Sequence, residues 1–178
     1  SGGEIPIMDG SSIRFVEAIQ KTGIKEQNAL QEVFEVDETI KISDEITGSE
    51  IMIIPDSDLS ISVMIDFETE VLGTQNAILK DIKDFNTEIA NCRTFSFLHE
   101  LETLLDNNLI KGGDVNNAII YVNKPLAKAN MDRLKKAFNK EDIAVKKNGI
   151  LNNLTLNHSN EAARHKLLDV IGDLALVG

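Results

Sequence analysis

The sequence predicts an α+β domain: a mostly antiparallel sheet with helices packed on one face, plus a small βαβ insert. Three stretches carry that prediction. Leu59-Ser60-Ile61-Ser62-Val63-Met64-Ile65-Asp66-Phe67 is apolar at every odd position and mostly polar at the even ones, the period of a strand with one buried face. Residues 93–122 hold a β-rich run, a helical run and a second β-rich run within about thirty residues, the size of a βαβ unit. Glu161 to Leu174 repeats its apolar residues at three- and four-residue spacing, as one amphipathic helix does.

Composition bounds the rest. The 178 residues suffice for one good core, or one domain plus a piece of another. Hydrophobic content of 42% and charged content of 26% exclude a largely disordered chain. Aromatics are 4% with no Trp, so Ile, Leu and Val must build the core. A formal net charge of −11 argues against nucleic-acid binding, which needs Lys and Arg to neutralise phosphates. The apolar runs are too short to span a bilayer, and no transmembrane segment is expected. Cys92 is the only cysteine, so no internal disulfide can form; with no signal peptide visible, a cytoplasmic location is expected. A lone Cys is expected as a small core residue rather than a nucleophile.

In chain order, Ser1-Gly2-Gly3 is read as a cloning scar. Asp9-Gly10 signals a turn, and Ser11 or Ser12 can cap a helix carrying Phe15, Val16 and Ile19 and ending at Gly23. Residues 1–24 are accordingly expected to be that scar plus the tail of a preceding domain, and 25–178 the domain proper, with the insert at about 93–122. Strands are expected over 30–36, 39–43, 50–55, 59–67 and 75–82. A short helix follows over 84–90, then an extended stretch over 93–96 and a helix over 97–106. Gly112-Gly113 breaks the chain before a strand over 118–122. Residues 128–139 form a charged helix with Met131, Leu134 and Phe138 inward. Asn148-Gly149 between Ile143-Ala144-Val145 and Ile150-Leu151 is a hairpin signal. In the last helix, Arg164, Leu167, Leu168, Ile171, Leu174 and Ala175 form the expected buried stripe.

Another face of that helix carries His165, Asp169 and Asp173, one turn apart. A helical His-x-x-x-Asp pair offers a nitrogen and an oxygen to one metal ion, and catalytic zinc takes three protein ligands. The bland alternative is a solvent-facing i, i+4 pair worth about 0.2–0.5 kcal/mol. His99 reads as a surface residue and His158 as a structural one near the helix cap, so a third ligand is expected from outside this chain. Asp173 could hold a histidine protonated or be a surface acid. Lys166 could meet an anionic substrate or simply be solvated.

Three separated motifs occur in order. Glu4-Ile5-Pro6-Ile7-Met8-Asp9-Gly10-Ser11 comes first. Arg93-Thr94-Phe95-x-Phe97 with Glu100, Glu102, Asn108-Leu109-Ile110-Lys111-Gly112-Gly113 and Asn117-Ala118-Ile119-Ile120 is second. Glu161-x-x-Arg164-His165-Lys166-x-Leu168-Asp169-x-Ile171-Gly172-Asp173-Leu174 is third. Together they resemble the bacterial zinc-dependent UDP-3-O-acyl-N-acetylglucosamine deacetylases of lipid A (lipopolysaccharide) biosynthesis, the LpxC family; residues 125–150 look expanded relative to its pattern.

The resemblance implies a hydrolase that removes the N-acetyl group from a UDP-linked acylated glucosamine. It makes His165 and Asp169 zinc ligands and lets Asp173 support the general-acid histidine. Lys166, Thr94, Phe95 and Phe67 become substrate contacts. Ser96, Leu98, Leu101, Leu105, Gly113, Ala118 and Ile120 become the insert's passage for the acyl chain. It also implies that the general base, the general acid and one zinc ligand lie beyond this chain, on a missing first domain and a following segment. The fragment alone is therefore expected to be inactive and to hold zinc weakly or not at all. Some members are fused to a hydroxyacyl-carrier-protein dehydratase. The alternative is a non-catalytic binding or interaction module with the same fold.

Overall fold

The computed structural model describes residues 5–30, 33–100, 117–124, 126, 128–137 and 139–176. Leu101, Leu105, Gly113 and Phe138, named above, lie outside them. The fold is α+β. Its named strands are β1 (Ile40–Ser43), β2 (Glu50–Ile53), β3 (Ile61–Ile65), β4 (Gln75–Leu79), β5 (Phe95–Phe97) and β6 (Ile119–Tyr121). Its α-helices that lie wholly within the described residues are α1 (Ile13–Thr22), α2 (Phe85–Glu88), α3 (Lys128–Ala137) and α4 (Glu161–Leu174). The described strands form three two-stranded sheets rather than one: β1–β2 and β3–β4 antiparallel, β5–β6 parallel.

The alternation expected over 59–67 is observed over 61–65, while Leu59 and Phe67 at its ends are exposed. Ile61, Val63 and Ile65 of β3 point inward and pair with Leu79, Ala77 and Gln75 of β4. Helix α4 lies across this pair, and Ala162, Ala163 and Leu167 enter the same core as Ile65, Ala77 and Leu79. β5 and β6 run parallel, which requires a crossover between them. Residues 98–100 are helical at its start. Glu100 Oε2 accepts from the Phe97 amide at 2.9 Å, the reciprocal half of a capping box. Because strand side chains alternate, β6 serves two cores: Ile119 and Tyr121 pack with α4, while Ile120 packs with Leu98, Leu134, Ile143 and Leu151.

The Asn148-Gly149 hairpin forms and lies against β6, with the Val122 amide donating to the Gly149 carbonyl and the Leu151 amide to the Ile120 carbonyl. Gly149 has φ +74°, and a Cβ there would collide with Val71.

Four expectations differ. Residues 33–36 are not a strand: Val33 and Phe34 are exposed and pair with nothing among the described residues, and a strand without a partner has unsatisfied edges. Phe97 ends a strand instead of starting a helix. The buried stripe of α4 is shifted toward its N-terminus. Glu161, Ala162, Ala163 and Leu167 are fully buried, Leu168 and Ile171 partly, and Leu174 and Ala175 are exposed. Small Ala side chains let the first turns sink onto β3–β4, and the last turn is left exposed. Helix α1 buries no residue, and its Phe15 and Ile19 are exposed. What docks instead is the turn before it: the Thr94 amide donates to the Gly10 carbonyl and Asn117 Nδ2 to the Met8 carbonyl.

Candidate metal centre

His165 and Asp169 sit one turn apart on α4, and the imidazole is 12% exposed while the carboxylate is 41% exposed. The ring is fixed from behind. Nδ1 is 3.0 Å from the Cys92 carbonyl oxygen. A carbonyl can only accept, so Nδ1 carries a proton, and in the neutral ring Nε2 bears the lone pair. Nε2 lies 3.6 Å from Asp169 Oδ1, too long for a hydrogen bond. Two ligand bonds of about 2.0–2.2 Å at a tetrahedral angle would place their donor atoms roughly 3.4 Å apart. One neutral imidazole nitrogen and one carboxylate oxygen at this separation fit zinc as two of its ligands. Among the described residues no group of three His, Cys, Asp or Glu converges to hold an ion.

Asp169 Oδ2 is taken by Lys166 Nζ at 2.9 Å. The same ammonium stands 5.7 Å from the centre of the Phe95 ring, a cation–π distance. Phe95 meets Phe67 edge-on with ring centres 5.6 Å apart, and Phe67 meets Phe97 at the same distance. Phe67 remains 42% exposed. The substrate contacts expected from three separate stretches therefore form one patch beside His165 and Asp169: Lys166, Phe95 and Phe67, with Thr94 next to Phe95. Thr94 is half-buried, its amide on the Gly10 carbonyl and its own carbonyl accepting from the Ile119 amide.

The remaining sites are less convergent. Asp173 is exposed, and its carboxylate makes no hydrogen bond or ion pair among the described residues. Of the acyl-passage set, Ser96 Oγ donates to Glu100 Oε2 at 3.1 Å, Ala118 is half-buried, and Leu98 and Ile120 are buried in the second core. An open groove lined by Val122, Asn123, Lys124, Leu126, Met131 and Val145 shares no residue with that set. His99 is exposed and stacks on Phe97; His158 Nε2 is 2.9 Å from Asn91 Oδ1, the structural role expected of it. Cys92 is fully buried, and burial pushes its thiol up to about 12, which makes it inert.

Sequence reasoning missed one feature of the centre. Arg93 and Glu161 were matched as motif residues, but nothing local in either stretch shows that they pair. Arg93 Nε donates to Glu161 Oε1 at 2.8 Å and Nη2 to Oε2 at 3.1 Å, with the carboxylate fully buried. The only signal was that both are charged residues flanked by core-forming ones.

The family model for UDP-3-O-acyl N-acetylglycosamine deacetylase, LpxC, matches residues 1–143 and 126–178. A protein of Bacteroides thetaiotaomicron named bifunctional enzyme LpxC/FabZ is 39% identical over 178 residues, covering 100% of this chain and 39% of its own length. One of the same name from Porphyromonas gingivalis is 41% identical over 175 residues, covering 98% of this chain and 38% of its own length. The UDP-3-O-acyl-N-acetylglucosamine deacetylase of Saccharophagus degradans is 34% identical, covering 100% of this chain and 51% of its own length. The chain thus spans about 38–51% of the length of these curated relatives.

Proposed function

Because the chain belongs to the LpxC family of UDP-3-O-acyl N-acetylglycosamine deacetylases, we propose that it is the domain of such an enzyme that supplies two zinc ligands, His165 and Asp169. The observation that carries this reading is the pair itself: Nε2 and Oδ1 face each other at 3.6 Å with Nδ1 already occupied. The substrate is a UDP-linked acylated glucosamine, the product its free amine and acetate, and the setting the cytoplasm of a bacterium making lipid A. The domain runs over 25–178 with its insert at about 93–122. The third ligand, the general base and the general acid come from parts of the protein outside these residues. The fragment alone is inactive and holds zinc weakly or not at all.

Bound zinc supplies a Lewis acid that polarises the amide carbonyl and makes water nucleophilic at neutral pH. The chain's own residues do the rest. The Cys92 carbonyl holds the His165 ring in the Nδ1–H tautomer. Lys166 is oriented by Asp169 and Phe95, and its ammonium meets an anionic or carbonyl oxygen of the substrate. Phe67 offers an exposed ring for stacking on uracil. Asp173, a turn further on, supports the histidine that protonates the leaving amine. Ser96, Ala118 and the apolar residues of the insert border the acyl chain. The higher identity to the bifunctional relatives than to the single-function one supports a parent fused to the dehydratase.

The test uses the complete gene product. Outer-shell substitutions at metal sites already cost about 10–100-fold in affinity or activity. His165→Ala and Asp169→Ala should each exceed that loss in acetate release, and zinc measured by elemental analysis should fall with it. Unchanged zinc content and turnover in both variants would remove the assignment. A complete product that keeps zinc but never releases acetate would favour the non-catalytic module.

A further inference from the structure

Glu161 has no part in the function just proposed, yet it is the most completely engaged side chain near His165. Its carboxylate is fully buried. Oε1 accepts from the Arg93 amide at 3.0 Å and from Arg93 Nε at 2.8 Å. Oε2 accepts from Arg93 Nη2 at 3.1 Å and from the Asn157 amide at 2.6 Å. It also lies in the first turn of α4, where the helix dipole favours an anion.

The link to His165 runs through one peptide group. The Arg93 N–H and the Cys92 C=O belong to the same planar trans unit, so fixing one end fixes the direction of the other. Glu161 takes the N–H, and His165 Nδ1–H is bound by the C=O at 3.0 Å. Residues 161 and 165 are one helical turn apart on one face. Two side chains of a single helix therefore grip one peptide at its two ends. A carboxylate on the N–H also polarises the amide and strengthens its carbonyl as an acceptor, by about 10–30% per bond in such chains.

We propose that Glu161 is a positioning residue for His165: through the Cys92–Arg93 peptide it holds the imidazole in the Nδ1–H tautomer and leaves Nε2 bare toward Asp169. The purpose of this rests on the zinc reading, because a ligand needs its lone pair on the metal side. The tautomer itself does not, since the Cys92 carbonyl that fixes it is no metal ligand. The competing account is that Glu161 only neutralises Arg93 and steadies the helix. The two accounts differ in what happens to the ring when α4 is disturbed by other means.

The test is a long-range nitrogen–proton correlation spectrum of the metal-free 178-residue chain with labelled histidine, at about pH 8, where imidazole is neutral. The unmodified chain should show His165 as pure Nδ1–H, and a His165 found as Nε2–H there overturns the proposal. Glu161→Gln keeps the shape and removes the charge; Glu161→Asp keeps the charge and draws it back by one methylene. Both should lose the single-tautomer pattern at His165 and leave His99 and His158 as they were. Leu167→Ala destabilises the same helix without touching the peptide, and should keep it. A folded Glu161 variant with His165 still wholly Nδ1–H overturns the proposal. So does loss of the pattern in Leu167→Ala, or failure of both Glu161 variants to fold, which assigns Glu161 to stability alone. A wrong zinc assignment leaves these spectra standing, and a wrong positioning claim leaves intact the zinc loss expected of His165→Ala in the complete product.

Discussion

The Arg93–Glu161 pair makes a stability prediction whose size follows from its burial. The Arg93 side chain is 10% exposed and the carboxylate 0%. Removing one partner of such a pair strands the other as an uncompensated buried charge, at about 3–5 kcal/mol. Arg93→Met strands Glu161 with only the two backbone amides, and it also takes the 2.6 Å Nη2 donor from the Thr155 carbonyl. Glu161→Gln leaves the guanidinium with a neutral partner. Each single variant is therefore expected to lose about 3–5 kcal/mol. The double variant carries no buried charge and fills similar volume, so its loss should fall short of the sum by about 2 kcal/mol. Urea unfolding measures this directly. With a slope of about 2 kcal/mol per molar, each single substitution should lower the midpoint by roughly 2 M. Such a loss is a large part of the roughly 5–15 kcal/mol that holds a domain together. Single losses under about 1 kcal/mol, or strict additivity in the double variant, would show that water reaches the pair and would refute the reasoning.

Three further outcomes are expected. Gly10 has φ +81°, and a Cβ there would collide with the Asn117 carbonyl oxygen; Gly10→Ala should cost more than the roughly 1–2 kcal/mol of the left-handed conformation alone, and a neutral effect on thermal unfolding would mean that the 8–12 turn is not docked. Burial raises the Cys92 thiol to about 12, so a thiol reagent at pH 8 should label the unfolded chain promptly and the folded chain hardly at all; fast stoichiometric labelling of the folded chain would contradict the packing. The Arg164 hydrogen bond, then its charge, holds the Glu88 carboxyl below its ordinary value of 4.5. A depressed acid stabilises the fold above its unfolded value and loses that contribution as pH falls through the folded one. Glu88→Gln should therefore flatten the decline in stability below about pH 4.5, and an unchanged acid limb would remove Glu88 from the account.

Much of the fold was legible because its signals are local. The period of two in 59–67 became β3 at its centre, with Ile61, Val63 and Ile65 inward. Asn148-Gly149 became the hairpin, since few other residue pairs turn the chain so tightly. His165 and Asp169 were legible as a pair because four residues of helix always superpose two side chains. The misses came where a local pattern needed a distant partner. Leu30, Val33 and Phe34 have strand composition, yet a strand exists only when another chain segment completes its hydrogen bonds, and none does among the described residues. The stripe on α4 had the right period and the wrong end, because which turns are buried depends on where β3–β4 lies beneath them.

By itself the sequence determined the class of fold, the helix with His165 and Asp169 on one side, the inert setting of Cys92 as a core residue, and through its motifs the family. Only the tertiary structure decided that a peptide at 92–93 backs the His165 ring and that Glu161 grips its other end. It also decided that Phe67, Phe95 and Lys166 share a single patch. Periodicity records what a residue does within its own helix or strand. A bond such as Arg93 to Glu161 spans 68 residues, and no spacing rule reaches that far; its geometry exists only after the chain has closed on itself.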